Sequence, residues 1–220
     1  MDKMKRHGRN LALAAAVAAL ALGTGACSSG GGAAIRAAVV LSEPDQVQDA
    51  LPSPASLPAG WGLSSGSKPP QAIGQSEASS TCRKKLSVDC EGLELGGSVR
   101  YELAADTDND IRFTLLTFDT VENAGPVFEA LAASLEKADD DVRPITLKVA
   151  ADQARGFEQP AGSADSGGGT VASSTAMRVG TVVALIELDE DERDHKTLQQ
   201  FATLQAERIK QVQQGADPDA

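Results

Sequence analysis

Apolar and polar positions alternate along two stretches near the middle of the chain. Val99, Tyr101 and Leu103 alternate with Arg100 and Glu102, and Ile111, Phe113 and Leu115 with Arg112 and Thr114, which predicts two half-buried strands. The acidic run Asp106 to Asp110 between them is read as the turn of a hairpin. Leu116 and Phe118 continue on the opposite phase, so either a bulge lies near Leu115 or the strand end is covered on both faces. Ile145, Leu147 and Val149 give another alternation, and a short extended piece around Phe157 follows. Val171 to Val179 and Val182 to Leu188 predict a second hairpin, joined by Gly180-Thr181 with glycine at the first central position, as a type II′ turn requires. Val182 to Ile186 is apolar on both faces, which marks it as the most buried strand.

Helical spacing appears in three places. Ser42 reads as an N-cap with Pro44 in the first turn, followed by Val47 and Leu51 at i, i+4. Val121, Phe128, Leu131 and Leu135 form an apolar stripe. Pro126 suits the first turn of that helix better than its interior, so the start is placed there rather than at Val121. A final helix from about Asp191 to Gln214 carries Leu198, Phe201, Leu204, Ile209 and Val212 on one side, with Gly215 as its C′ residue. Between the first helix and the first strand, a punctuated segment from Pro52 to Pro70 leaves Leu57 and Trp61 as the residues pinned to the core. The fold class is therefore α+β: a twisted, mostly antiparallel sheet with a middle helix and a long C-terminal helix packed on it.

The first 38 residues stand apart from this pattern. Lys3, Lys5, Arg6 and Arg9 precede a run of twelve apolar residues from Leu11 to Leu22, then Gly23-Thr24-Gly25-Ala26. Charge, apolar run and small residues in that order are the layout of an export signal. Twelve apolar residues fall short of the roughly twenty that span a bilayer. The stretch ending in Cys27 resembles bacterial lipoprotein signals, in which a peptidase cuts before a cysteine that already carries diacylglycerol. That resemblance implies residues 1–26 as signal peptide, Cys27 as the lipidated residue bearing fatty acyl chains such as palmitate, and localisation at the cell membrane on its extracytoplasmic face. Residues 27–38 are then a flexible tether reaching roughly 20 Å, residues 39–215 one domain, and 216–220 a disordered tail.

Charge and cysteine count refine this picture. The chain of 220 residues has a formal charge of −11, and loss of residues 1–26, with four Lys/Arg and one Asp, makes it −14. An acidic surface excludes nucleic acid as a partner and gives no attraction to anionic lipid, so membrane association rests on the acyl chains. With Cys27 assigned to lipid, Cys82 and Cys90 form an even remainder, and an oxidising compartment makes a disulfide the default. They flank Arg83-Lys84-Lys85, the densest basic cluster of the mature chain. It is either a contact point for an anionic ligand or partner, or a solvated loop stapled for stability.

Catalytic motifs are fragmentary. Gly62-Leu63-Ser64-Ser65-Gly66 matches the G-x-S-x-G elbow, but Ser67-Lys68-Pro69-Pro70 forbids the helix that must follow, and His195 is the one histidine beyond the signal. Ser65 to Lys68 matches S-x-x-K with no K-T-G or S-D-N companion. Asp106-x-Asp108-x-Asp110 opens like a calcium loop, yet Ile111 and Thr117 stand where glycine and glutamate belong. The acidic runs Asp139 to Asp141 and Asp189 to Glu192 read as a helix exit and a dipole-matched helix start. No metal and no cofactor is expected.

Over residues 39 to 214 the order of elements, with Phe118-Asp119, then Ala124 and Phe128, then Met177-Arg178-Val179-Gly180-Thr181-Val182-Val183, resembles actinobacterial lipoproteins related to the extracellular sensor domain of PknH-type kinases. The resemblance implies an α+β domain with a ligand cleft. The expectation is a non-enzymatic domain that binds a small ligand or an envelope protein. The alternatives are a small serine hydrolase using Ser64 and a purely structural envelope protein.

Overall fold

A computed structural model describes residues 40–86, 88–159, 171–190 and 195–220. The signal, the tether and Cys27 lie outside the described residues. The elements run α1 (Pro44–Ala50), a 3-10 turn (Pro54–Ser56), β1 (Trp61–Leu63), β2 (Gln71–Ile73), α2 (Gln75–Leu86), β3 (Leu93–Leu103) and β4 (Asp106–Phe118). They continue with α3 (Val121–Glu136), β5 (Arg143–Ile145), β6 (Gln153–Gln159), β7 (Val171–Val179), β8 (Val182–Glu190) and α4 (His195–Gln213). The strands form one antiparallel sheet in the order β1-β3-β4-β8-β7-β6-β5, with β2 also on the outer edge of β3. The fold is α+β, and both expected hairpins are present.

Each face of the sheet carries its own core, because the central strand is apolar on both sides. On one face α1 and α4 cover Tyr101, Ile111, Phe113, Leu115, Ala184, Ile186 and Leu188. Trp61 and Phe113 both meet Phe201 of α4 edge-on, with centroids 5.2 and 5.8 Å away. On the other face α2 and α3 cover Phe118, Phe157, Ala176 and Val183. Leu115 and Leu116 therefore belong to opposite cores, and the register of β3 with β4 is unbroken from Leu95 to Glu102. No bulge lies at Leu115. The change of phase marks the place where the second core begins.

Gly96 and Gly97 let helices approach β3 from both sides. A Cβ on Gly97 would stand 2.8 Å from Val47 of α1, and one on Gly96 3.0 Å from Ile73 and 3.2 Å from Ala78 of α2. A side chain at Gly97 would force Val47 of α1 to move, and one at Gly96 would crowd Ile73 of β2 and Ala78 of α2.

Several expectations need correction. The hairpin turn is Ala104-Ala105, and Asp106 to Asp110 is the first part of β4. The N-cap of α1 is Glu43, not Ser42; Gln46 Oε1 accepts from both backbone N–H groups at 3.1 Å. Helix α3 begins at Val121 with Pro126 inside it, because Thr120 caps it by accepting from the Asn123 N–H. The alternation at Ile145 to Val149 yields a strand only to Ile145, although Leu147 and Val149 still pack on the core. Strand β8 runs on through Asp189 and Glu190, which the sequence assigns to a helix start, while 191–194 lie outside the described residues. Helix α2 has no counterpart in the sequence-based expectation.

Residues 216–220, expected as a disordered tail, include Asp219, whose carboxylate accepts from both terminal nitrogens of buried Arg208 at 2.6 and 3.0 Å. Arg208 also donates to the Asp49 carbonyl, and Gln205 to the Ala50 carbonyl, so α4 caps the end of α1. The Arg208 hydrogen bond, then that of Ser53, hold the Asp219 carboxyl below its ordinary value of 3.8. A carboxylate whose folded pKa is depressed stabilises the fold above its unfolded pKa and loses that contribution as pH falls through the folded value. Burial, then Asp217, push Asp49 the other way, which partly offsets it. Asp219→Asn is therefore expected to reduce stability at pH 7 and to flatten the decline below pH 4, read from urea midpoints at several pH values. An unchanged acid limb would show that the pair carries no linkage.

Candidate functional site

Sheet register decides which side chains meet on the face that α2 and α3 cover. One cross-strand row runs Ser98, Thr114, Leu185, Ala176 and Arg155; the next is Arg100, Arg112, Glu187, Ser174 and Phe157; the next is Glu102, Asp110, Asp189, Ala172 and Gln159. The rows pass from apolar to charged, and α3 ends beside the second of them. Where the helix stops, a cleft of about 250 Å³ opens. Its floor is Arg112, Glu187, Ser174 and Phe157, and Leu135, Ala138 and Val142 form the wall at the end of α3. Arg155 steadies that wall by donating to Glu129 of α3 at 2.7 Å.

The charges in the cleft are unequally matched. Arg100 donates to both oxygens of Asp110, at 2.8 and 2.6 Å, a fork geometry that fixes both groups. That bond raises the guanidinium pKa. Arg112, directly opposite Arg100 on the neighbouring strand, has only Glu187 at 3.9 Å. Like charges facing one another across strands are unfavourable. Asp189 is half-buried, and burial first, then Asp110, push its carboxyl pKa upward against the pull of Arg100 and Arg112. A perturbed carboxylate in a cleft marks a candidate binding or reacting site, although structural ion-pair networks perturb such groups as well. Ser174 and Glu187 face each other across β7 and β8 in its floor, and among the described residues no histidine lines the cleft. Arg112, Glu187 and Asp189 can grip a small molecule that has charged and apolar parts, with Phe157 and Leu135 against its apolar portion.

The residues singled out from sequence fall elsewhere. Ser64 follows β1 and donates to Glu102 Oε2 at 2.9 Å. No helix follows it, and the imidazole of His195 instead meets the buried Glu158 carboxylate at 3.2 Å. Asp106 and Asp108 lie on a strand, and among the described residues no three His, Cys, Asp or Glu side chains converge as a metal site would need. Cys82 and Cys90 form a disulfide. The intervening basic residues are the last turn of α2, not a constrained turn; Arg83 and Lys84 are exposed there, and the Lys85 side chain lies outside the description. Neither Arg83 nor Lys84 lines the cleft. Cys82 itself borders a small apolar slot of about 60 Å³ with Leu86, Leu116, Leu131 and Leu185. Sequence reasoning missed Arg112, read as the wet face of a strand, Asp189, read as part of a helix start, and Glu187, which it did not single out. The one local signal was a pair of strands with arginines at matching places.

No protein-family model matches the chain, and no curated protein matches it. Among solved structures it is similar to the extracellular domain of PknH from Mycobacterium tuberculosis, at 10% sequence identity and a TM-score of 0.49, over 76% of this chain and 98% of that one.

Reduction of the disulfide is expected to lower stability by about 2.5 kcal/mol, the chain-entropy value for a nine-residue loop. Intact mass before and after alkylation tests the bond, and paired denaturation curves test the size. Two thiols free in the oxidised protein would refute the pairing.

Proposed function

We propose that the chain is a non-enzymatic lipoprotein, anchored through acyl chains on Cys27 to the extracytoplasmic face of the cell membrane, whose α+β domain binds a small ligand in a sensor-like manner. The observation that carries the binding part is the cleft at the end of α3, where Arg112, Glu187 and Asp189 stand beside Phe157. Cleft-lining polar groups that converge beside apolar walls are what a small-molecule site requires. The anchor part rests on the sequence of residues 1–27 and on the acidic charge, which leaves the acyl chains as the attachment. Among the described residues no helix is long and apolar enough to cross a membrane.

Ser174 lies in the middle of the cleft floor and is only partly buried, so Ser174→Trp fills the cleft without entering either core. Native mass spectrometry of the full chain, purified in mild detergent, is expected to show a small molecule retained by the native protein and lost in the variant at an unchanged melting temperature. Retention in the variant would move the site elsewhere. Labelling of Ser64 by a serine-reactive probe, abolished in Ser64→Ala, would overturn the non-enzymatic reading. For the anchor, Cys27→Ser is expected to leave uncut precursor or to release the protein into the medium, followed by cell fractionation. Processed protein still in the membrane fraction would mean a second anchor.

A further inference from the structure

The outer edge of β3 is paired in two separate pieces. Strand β1 takes Tyr101 to Leu103 and β2 takes Gly96 to Ser98, which leaves Val99 and Arg100 unpaired by a strand while the chain from Ser64 to Pro70 loops outward past them. The loop encloses a groove of about 360 Å³ against Ser98, Arg100 and Arg112, on the other side of the arginine pair from the cleft. Three cations reach it: Lys68, Arg100 and Arg112. In a chain of net charge −11 such a concentration runs against the composition.

The three cations differ in what already occupies them. Arg100 is committed to Asp110 by two hydrogen bonds. Arg112 has one distant contact, at 3.9 Å, and Lys68 has no partner among the described residues. The hydroxyls of Ser67 and Ser98, which also line the groove, are likewise unengaged. Two available positive charges and two hydroxyl donors match a phosphate group, whose dianion offers three terminal oxygens and takes charge from more than one side. A carboxylate has two oxygens and would be served by the Arg112 fork alone, leaving Lys68 unmatched.

We propose that the groove between the Ser64 to Pro70 loop and strands β3 and β4 is a phosphate-binding site built on Lys68 and Arg112. An anion there also relieves the repulsion between Arg100 and Arg112, which face each other across the two strands. The site goes beyond the cleft reading: Arg112 lines both cavities, and Lys68 belongs to the groove alone.

Titration calorimetry of the full chain in detergent, at constant ionic strength with chloride as the balancing anion, tests it with two soluble probes. Inorganic phosphate represents a free phosphate, and glycerophosphoglycerol, a phosphodiester, represents a lipid headgroup. Saturable binding of inorganic phosphate is expected, weakened at least tenfold in Lys68→Gln and in Arg112→Gln and unchanged in Lys84→Gln, which removes an exposed charge from α2. Tighter binding of the diester with the same response to the variants supports the site and assigns the phosphate to a headgroup. Saturable binding of neither probe, or equal binding by native protein and Lys68→Gln, overturns the proposal. Loss of phosphate binding in Lys68→Gln while the cleft keeps its retained molecule would show that groove and cleft are separate sites.

Discussion

Strand β8 must be covered on both sides. Val182, Ala184, Ile186 and Leu188 face one way and Val183 and Leu185 the other, so no single layer of helices satisfies it, and full burial of each Val, Ile or Leu side chain is worth about 1.5–3 kcal/mol. The requirement places β8 in the middle of the sheet and puts a pair of helices on each face. On the α1 and α4 side the cover extends along the long helix. On the other side α3 is shorter than the strands beneath it, and the rows beyond its end are charged rather than apolar. The cleft is what remains of the sheet face after the helix has run out.

The edge of the sheet follows a different logic. Strand β3 needs an outer neighbour, and the Pro- and Gly-rich segment before it can supply only three residues at a time. Two short strands with a loop between them protect the edge from pairing with another chain while leaving a concavity at Arg100. Gly96 and Gly97, which admit α2 and α1 on opposite faces, bring both helices to the same strand. Strand β3 thus links the first third of the molecule to the sheet.

What could be read from the sequence follows from where the information sits. The β7–β8 hairpin is legible because its turn, Gly180 at φ 57°, and its alternation lie within twenty consecutive residues. The same holds for α4 and for Gly215 beyond its end. Helix α2 is not legible, since its buried side is Ala78 and Cys82 with Leu86 partly covered, three residues at i, i+4 spacing in an otherwise polar segment. Asp106 to Asp110 has the composition of a turn but forms strand, because Arg100 across the hairpin holds Asp110 in register. The cleft could not be seen for a general reason: Arg112 and Glu187 meet through register between strands 75 positions apart along the chain, which no local pattern encodes.

The clasp between α1 and the last residues of the chain has a bearing on the order of assembly. Gln205 and Arg208 reach the carbonyls of Ala50 and Asp49 across 155 and 159 positions, and Asp219 is the second residue from the end. A chain emerging from its amino terminus therefore exposes α1 long before the residues that hold it exist outside. The sheet centre is also incomplete until β8 arrives, so long-range closure is concentrated at the end of the process. Until then Val47 and Ala50 of α1, with Leu51 just beyond it, stand uncovered. This architecture leaves α1 most open to proteases and to sticking partners in the interval before Gln205 and Arg208 of α4 have been made.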